Sequence, residues 1–127
     1  MLGAIVGDII GSIYEFAPTK SVSFDLFTPW SNFTDDTVMT LAVAKWLMED
    51  DAHTPSYLIF CMQELGAVYP SAGYGARFAG WLCEDDPQPY KSWGNGAGMR
   101  VSPVGLYAKT LDEALALAAV TAFMGKT

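Results

Sequence analysis

A chain of 127 residues, 51% of them hydrophobic, has the size and composition of one folded domain, which excludes a disordered protein. Seven Lys and Arg stand against 14 Asp and Glu, and the net charge of −7 speaks against a nucleic-acid partner or an anionic membrane surface, both of which are held by cations. Cys61 and Cys83 lie in apolar helical patterns with no zinc or Cys-x-x-Cys spacing, and read as buried thiols of a reducing compartment.

In chain order, the apolar spacing predicts a helix from Leu2 to about Phe16. The Met1-Leu2-Gly3-Ala4-Ile5 start lacks the basic residues of a signal peptide, so the cytoplasm is the expected location. A loop follows to Phe33. Thr34 then caps a second helix running to about Asp50, with Asp35 and Asp36 in its electropositive first turn. This helix is apolar nearly all round, which predicts a central position. Pro55-Ser56 opens a third helix, with Leu58, Cys61, Met62 and Leu65 on its apolar stripe, ending before Pro70. Residues 74–84 form a fourth. Asp85 to Gly98 is a loop, and Ala97 to Tyr107 holds a short helix broken by Pro103. Leu111 to about Phe123 is the fifth main helix, apolar at Leu111, Leu115, Leu117 and Ala118. No apolar run reaches the ~18 residues of a membrane span. No useful length alternates with period two, so the fold class is all-α: one compact helical domain of about five helices with long loops, over residues 1–127.

Four groups of residues carry possible chemistry. In the first helix Asp8 and Glu15 are seven positions apart, so both carboxylates share one face. Gly3, Gly7 and Gly11 lie on the same stripe, and interior glycines weaken a helix, so something is expected to approach its backbone closely. That something is either another helix or a ligand. Thr34-Asp35-Asp36-Thr37 is either an over-determined cap or a grip for an oxygen-preferring cation such as Mg²⁺, Mn²⁺ or Ca²⁺. If the helix is central, two carboxylates at its start need a partner. Ser71-Ala72-Gly73-Tyr74-Gly75 is an interhelical turn or a backbone cradle for a phosphate. Ser92-Trp93-Gly94-Asn95-Gly96 with Arg100 is a glycine-rich connection, or a loop that stacks a base on Trp93 and sets Asn95 on a ribose. In it Arg100 suits a phosphate or a buried carboxylate equally. His53, between Asp50, Asp51, Ala52 and Thr54, reads as a solvated loop residue.

Read together, four segments in this order resemble the ADP-ribosylglycohydrolase family, which includes the dinitrogenase-reductase-activating glycohydrolases. They are Gly3 to Glu15, Phe33 to Thr40, Gly73-Tyr74-Gly75, and Ser92 to Gly96 with Met99-Arg100-Val101-Ser102-Pro103. The resemblance implies an all-α fold, a binuclear Mg²⁺ or Mn²⁺ centre, and hydrolysis of the bond between ADP-ribose and a protein side chain or small acceptor. It makes Thr34, Asp35 and Asp36 metal ligands, and Glu15, with Asp36, the catalytic carboxylates. Gly73, Tyr74 and Gly75 would face the diphosphate, and Trp93 and Asn95 the nucleoside end. Family members are longer. They carry a Gly-Asp-x-Asp-Thr motif in a C-terminal half, and these 127 residues contain none. The family's His-containing segment after Val120-Thr121 is replaced here by Ala122-Phe123-Met124. The expectation is therefore a truncated domain with half a metal site. Apolar surface should be exposed on the helix from Thr34, and the chain should associate with itself or with a complementary fragment. The alternative function is an inactive pseudo-enzyme that oligomerises or binds nucleotide.

Overall fold

Thr34 holds an extended backbone (φ −123°, ψ −168°), and its hydroxyl accepts a hydrogen bond from the Asp36 N–H at 3.3 Å. This closes one of the open donors at a helix start and fixes where the central helix begins. The computed structural model describes residues 1–123. They form seven helical segments: α1 (Leu2–Gly11), α2 (Asp35–Glu49), α3 (Pro55–Val68), α4 (Ala76–Trp81), α5 (Gly96–Met99), α6 (Ser102–Tyr107) and α7 (Leu111–Phe123). There is no strand among the described residues, and the fold is all-α. Residues 124–127 lie outside the described residues, and with them Met124, the end of the Ala122-Phe123-Met124 departure from the family pattern.

The core is built on α2. Val38, Met39, Ala42, Val43, Trp46 and Leu47 are buried, and α2 packs on α1, α3, α5 and α6. Leu58, Cys61 and Met62 of α3, Trp81, Val104 and Leu117 complete the apolar cluster. The central position expected of α2 is what the structure shows. Its connection to α3 is short and fully bonded. Asp50 accepts from the Thr54 N–H and hydroxyl, both at 2.7 Å, and Thr54 in turn caps α3 through the Tyr57 N–H. Pro55 sits in the first turn of α3, where no N–H is needed.

Several expectations fail, each for a local reason. α1 stops at Gly11 rather than near Phe16. The Ser12 hydroxyl turns back to the Ile9 carbonyl at 2.9 Å and accepts from the Asn32 N–H at 3.2 Å, so it ends the helix and ties down the returning loop. Glu15 therefore stands beyond the helix, and the shared-face argument with Asp8 does not apply. α4 covers only Ala76–Trp81, because Gly73 is left-handed (φ +100°) and Gly75 is extended in ψ. Pro103 does not break a helix. It occupies the opening turn of α6, behind the separate single turn α5.

α7 buries Leu117 and Thr121 and half-buries Ala114 and Ala118, while Leu111 and Leu115 point outward. Cys61 is buried, but Cys83 is exposed beyond the end of α4. His53 is not a solvated loop residue. It adopts φ +48°, and its ring lies edge-on between Trp46 and Tyr107, with centroids 5.4 and 5.3 Å away. Apolar exposure is real, but on α2 it is confined to Leu41 and Met48. Most of it lies on α1, the 16–33 loop and the outer face of α7. No described helix is long and apolar enough to cross a membrane.

Trp46 is fully buried, and its indole N–H donates to the Thr54 carbonyl at 3.0 Å, so it joins the core to the α2–α3 turn. Trp46→Ala is expected to cost about 3–5 kcal/mol in a denaturant melt, whereas Trp93→Ala, at a fully exposed position, should move the midpoint little.

Candidate active site

The site begins with Asp8. Its carboxylate reaches from α1 to the start of α2 and accepts four hydrogen bonds. Thr34 gives its N–H at 2.7 Å and its hydroxyl at 2.6 Å; Thr37 gives its N–H at 3.2 Å and its hydroxyl at 2.5 Å. A negative group here meets both the open N–H donors and the positive end of the helix. Asp8 is thus fully occupied, and Thr34 spends its hydroxyl between Asp8 and the Asp36 N–H.

Asp35 and Asp36 are different. Both are half-buried in the first turn, and neither carboxylate has a hydrogen bond from another residue or an ion-pair partner among the described residues. The ion pairs there involve Lys45, with Glu49 and Glu64. Burial pushes the Asp35 carboxyl up to about 6, reinforced by the charges of Asp36, Glu15 and Asp8. Burial also raises Asp36, helped by Asp8 and Glu15. Glu15 itself is exposed, close enough for its charge to act on both.

The Asp35 N–H donates to the Ala72 carbonyl at 2.8 Å, which docks the 71–75 segment against the start of α2. Gly73 makes this turn with φ +100°, a conformation that L side chains resist, and its missing side chain would point to within 3.9 Å of an Asp35 oxygen. Tyr74 follows, half-buried. Its hydroxyl is buried without a partner, and burial, then the Asp35 charge, pushes it up to about 12.

Asn95 caps α5 through its carbonyl, which accepts from Gly98 and Met99. Trp93 beside it is fully exposed. Arg100, which ends α5, is only 3% exposed. Its Nη2 donates to the Thr121 carbonyl at 2.6 Å, its Nε has no partner, and burial pushes the guanidinium down to about 10.

These elements enclose one open cleft of about 1120 Å³. Glu15, Thr34, Asp35 and Asp36 line it, as do Gly73, Tyr74 and Gly75 from the turn and Trp93 and Asn95 from the loop. The nine residues to which the family resemblance gave a role therefore meet here, although four separate stretches of chain supply them. Gly3, Gly7 and Gly11 have no protein atom within 4 Å of the space a side chain would take, so no helix packs on that stripe. Gly7 and Gly11 instead line the cleft. Asp8, singled out for its spacing from Glu15, is held in the clasp, and Arg77, Tyr90 and Lys91, to which the sequence pattern gave no role, also line the cleft. The one signal for the cations was their scarcity in so acidic a chain.

Oxygen donors gather at Asp35, Asp36 and Thr34, the right chemistry for a hard divalent cation. They are too few: among the described residues no group of three or more His, Cys, Asp and Glu is placed to hold a metal ion.

An all-α fold with an acidic helix start facing a glycine-lined cleft is the arrangement that the four sequence segments led one to expect. The chain belongs to the ADP-ribosylglycohydrolase family, whose model it matches over residues 1–124. It is 26% identical to the ADP-ribosylhydrolase ARH3 of Mus musculus over 152 aligned positions, which take in 96% of this chain and 41% of that protein. The ARH3 of Homo sapiens is likewise 26% identical, with 42% of its length covered. The chain thus spans about two fifths of the length of the curated relatives it matches.

A carboxyl that titrates near 3.8 unfolded and near 6 folded destabilises the fold above pH 6, where the folded chain must carry a charge it resists. The effect vanishes below about pH 4, where both forms are protonated. In chelator, Asp35→Asn should therefore raise stability near pH 7 by on the order of 1 kcal/mol, after allowance for solvent screening, and the gain should disappear near pH 4. Thermal melts at the two pH values check this, and a loss of stability near pH 7 would contradict it.

Proposed function

We propose that the cleft binds an ADP-ribosyl group and takes part in hydrolysing its glycosidic bond to a protein side chain or small acceptor. The observation that carries this reading is the convergence of all the marked residues on one cleft, in a chain of this family. The similarity to ARH3, named an ADP-ribosylhydrolase, supports the same substrate class.

Cleaving an N- or O-glycoside of ribose builds positive charge at the anomeric carbon and needs a water held on its free side. Asp35 and Asp36 present unpaired negative charge to that region, and Glu15, exposed beside them, holds or moves the proton of the attacking water. The turn at Gly73, Tyr74 and Gly75 lets the diphosphate approach the backbone closely. Trp93 offers a free face on which the adenine stacks, and Asn95 reaches the nucleoside hydroxyls.

Thr34, Asp35 and Asp36 would hold Mg²⁺ or Mn²⁺. When bound, the ion supplies Lewis acidity and a fixed point for the ribose hydroxyls and the water. The donor set is incomplete among the described residues, so a bound ion would need further oxygen ligands from outside them. Association with a second copy, or with complementary polypeptide, would bring such ligands and would cover the apolar side chains exposed on α1 and α7. The acidic balance leaves nucleic acid and membrane out of this reading, and the free thiols of Cys61 and Cys83 support a cytoplasmic location.

The shortage of ligands favours a second reading, in which these residues bind the nucleotide and do not turn it over. One assay separates the two: release of ADP-ribose from an ADP-ribosylated protein, with Mg²⁺ or Mn²⁺, by the wild type and by the Asp35→Ala, Asp36→Ala double variant. The enzyme reading expects release from the wild type and none from the variant. No release, together with no rise in melting temperature on adding either metal, contradicts it.

A further inference from the structure

The cleft is lined by both signs of charge. Asp8, Glu15, Asp35 and Asp36 line it, and so do Arg77, Lys91 and Arg100, three of only seven Lys and Arg in the whole chain. None of the three cations has an ion-pair partner among the described residues, although four carboxylates share the cleft.

Arg100 carries the argument furthest. A buried guanidinium without a counter-charge is costly, and the structure gives this one a single acceptor, the Thr121 carbonyl. Its Nε is buried with no partner. Its Nη1 makes no hydrogen bond within the described chain and lies 3.4 Å from the place a side chain at Gly96 would fill, so the absence of a side chain there leaves that donor uncovered. Arg77 is fixed in a complementary way. Its guanidinium lies over the Tyr90 ring at 4.4 Å, and its Nη1 donates to the Lys91 carbonyl at 2.9 Å. The stacking holds the planar fork in place and leaves most of its five N–H donors free.

We propose that Arg77 and Arg100 form an oxyanion subsite that takes the phosphate groups of the cleft's ligand. Two planar forks match pairs of phosphate oxygens, which a backbone turn alone does with less charge. The proposal rests on the reading of the cleft as an ADP-ribose site, and under that reading its target is the diphosphate. The carboxylates of the cleft are then left for the ribose end of the ligand.

The test is calorimetric binding of inorganic pyrophosphate and, separately, ADP-ribose. It uses the full chain in chelator, so that no metal bridges phosphate to the acidic end. The wild type should bind pyrophosphate, less tightly as salt rises. Arg77→Gln, at an exposed position, and Arg100→Lys, which keeps the charge and loses the fork, should each weaken it roughly tenfold. Thermal melts show whether each variant is folded, and Arg77→Gln decides alone if Arg100→Lys is not. Absence of pyrophosphate binding by the wild type, or equal binding by wild type and Arg77→Gln, overturns the subsite. Arginine-dependent pyrophosphate binding without ADP-ribose binding upholds the subsite and defeats the ADP-ribose reading. ADP-ribose binding that neither variant weakens does the reverse.

Discussion

The carboxylate of Asp8, caught by Thr34 and Thr37, is the interaction on which the rest of the site depends. α1 has no buried residue, so apolar burial does little to place it. A polar clasp at the start of α2 does that work instead, with four bonds to one charged acceptor. Hydrogen bonds to a charged group contribute about 1.5–3 kcal/mol each at most, and these share a half-buried position, so their joint contribution is smaller than the sum. Position matters more than energy here. With the N–H groups of the α2 start taken by Asp8, the Thr34 hydroxyl and the Ala72 carbonyl, the Asp35 and Asp36 carboxylates have no capping duty toward other residues.

The same economy recurs across the cleft. Groups with a structural task are saturated: Asp8 in its clasp, Asp50 in the α2–α3 turn, and the Trp46 N–H on Thr54. Asp35, Asp36, the Tyr74 hydroxyl and the Arg100 Nε are unsaturated, and all four residues line one open space. Unpaired polar groups at half-buried or buried positions cost stability, and their clustering along one cleft supports the reading of that cleft as a binding site. No ion pair joins Asp35 or Asp36 to Arg100 among the described residues.

Much of this was legible in the sequence, and the reasons are specific. The cap at Thr34, the acidic first turn and the continuous apolar run gave α2 its limits and its central place. Pro55 gave the start of α3. The site residues were legible because glycine, carboxylate and aromatic residues recur in a family order, not because any single spacing demanded them. What failed depended on contacts distant in sequence. The end of α1 is set by a bond from Asn32 to Ser12, twenty residues away. The inward face of α7 is chosen by what α3, α5 and α6 leave open, so Leu117 and Thr121 go in and Leu111 stays out. His53 looked like a loop residue because the aromatics that enclose it, Trp46 and Tyr107, lie in different helices.

The most direct test of this account is amide hydrogen exchange at Thr34 and Thr37 in the wild type and in Asp8→Ala. The account predicts that both amides are protected in the wild type. In the variant they should lose that protection, while amides in the middle of α2, around Val43 and Trp46, keep theirs. Unchanged protection at Thr34 and Thr37 in Asp8→Ala would contradict the claim that this clasp holds α1 to the site.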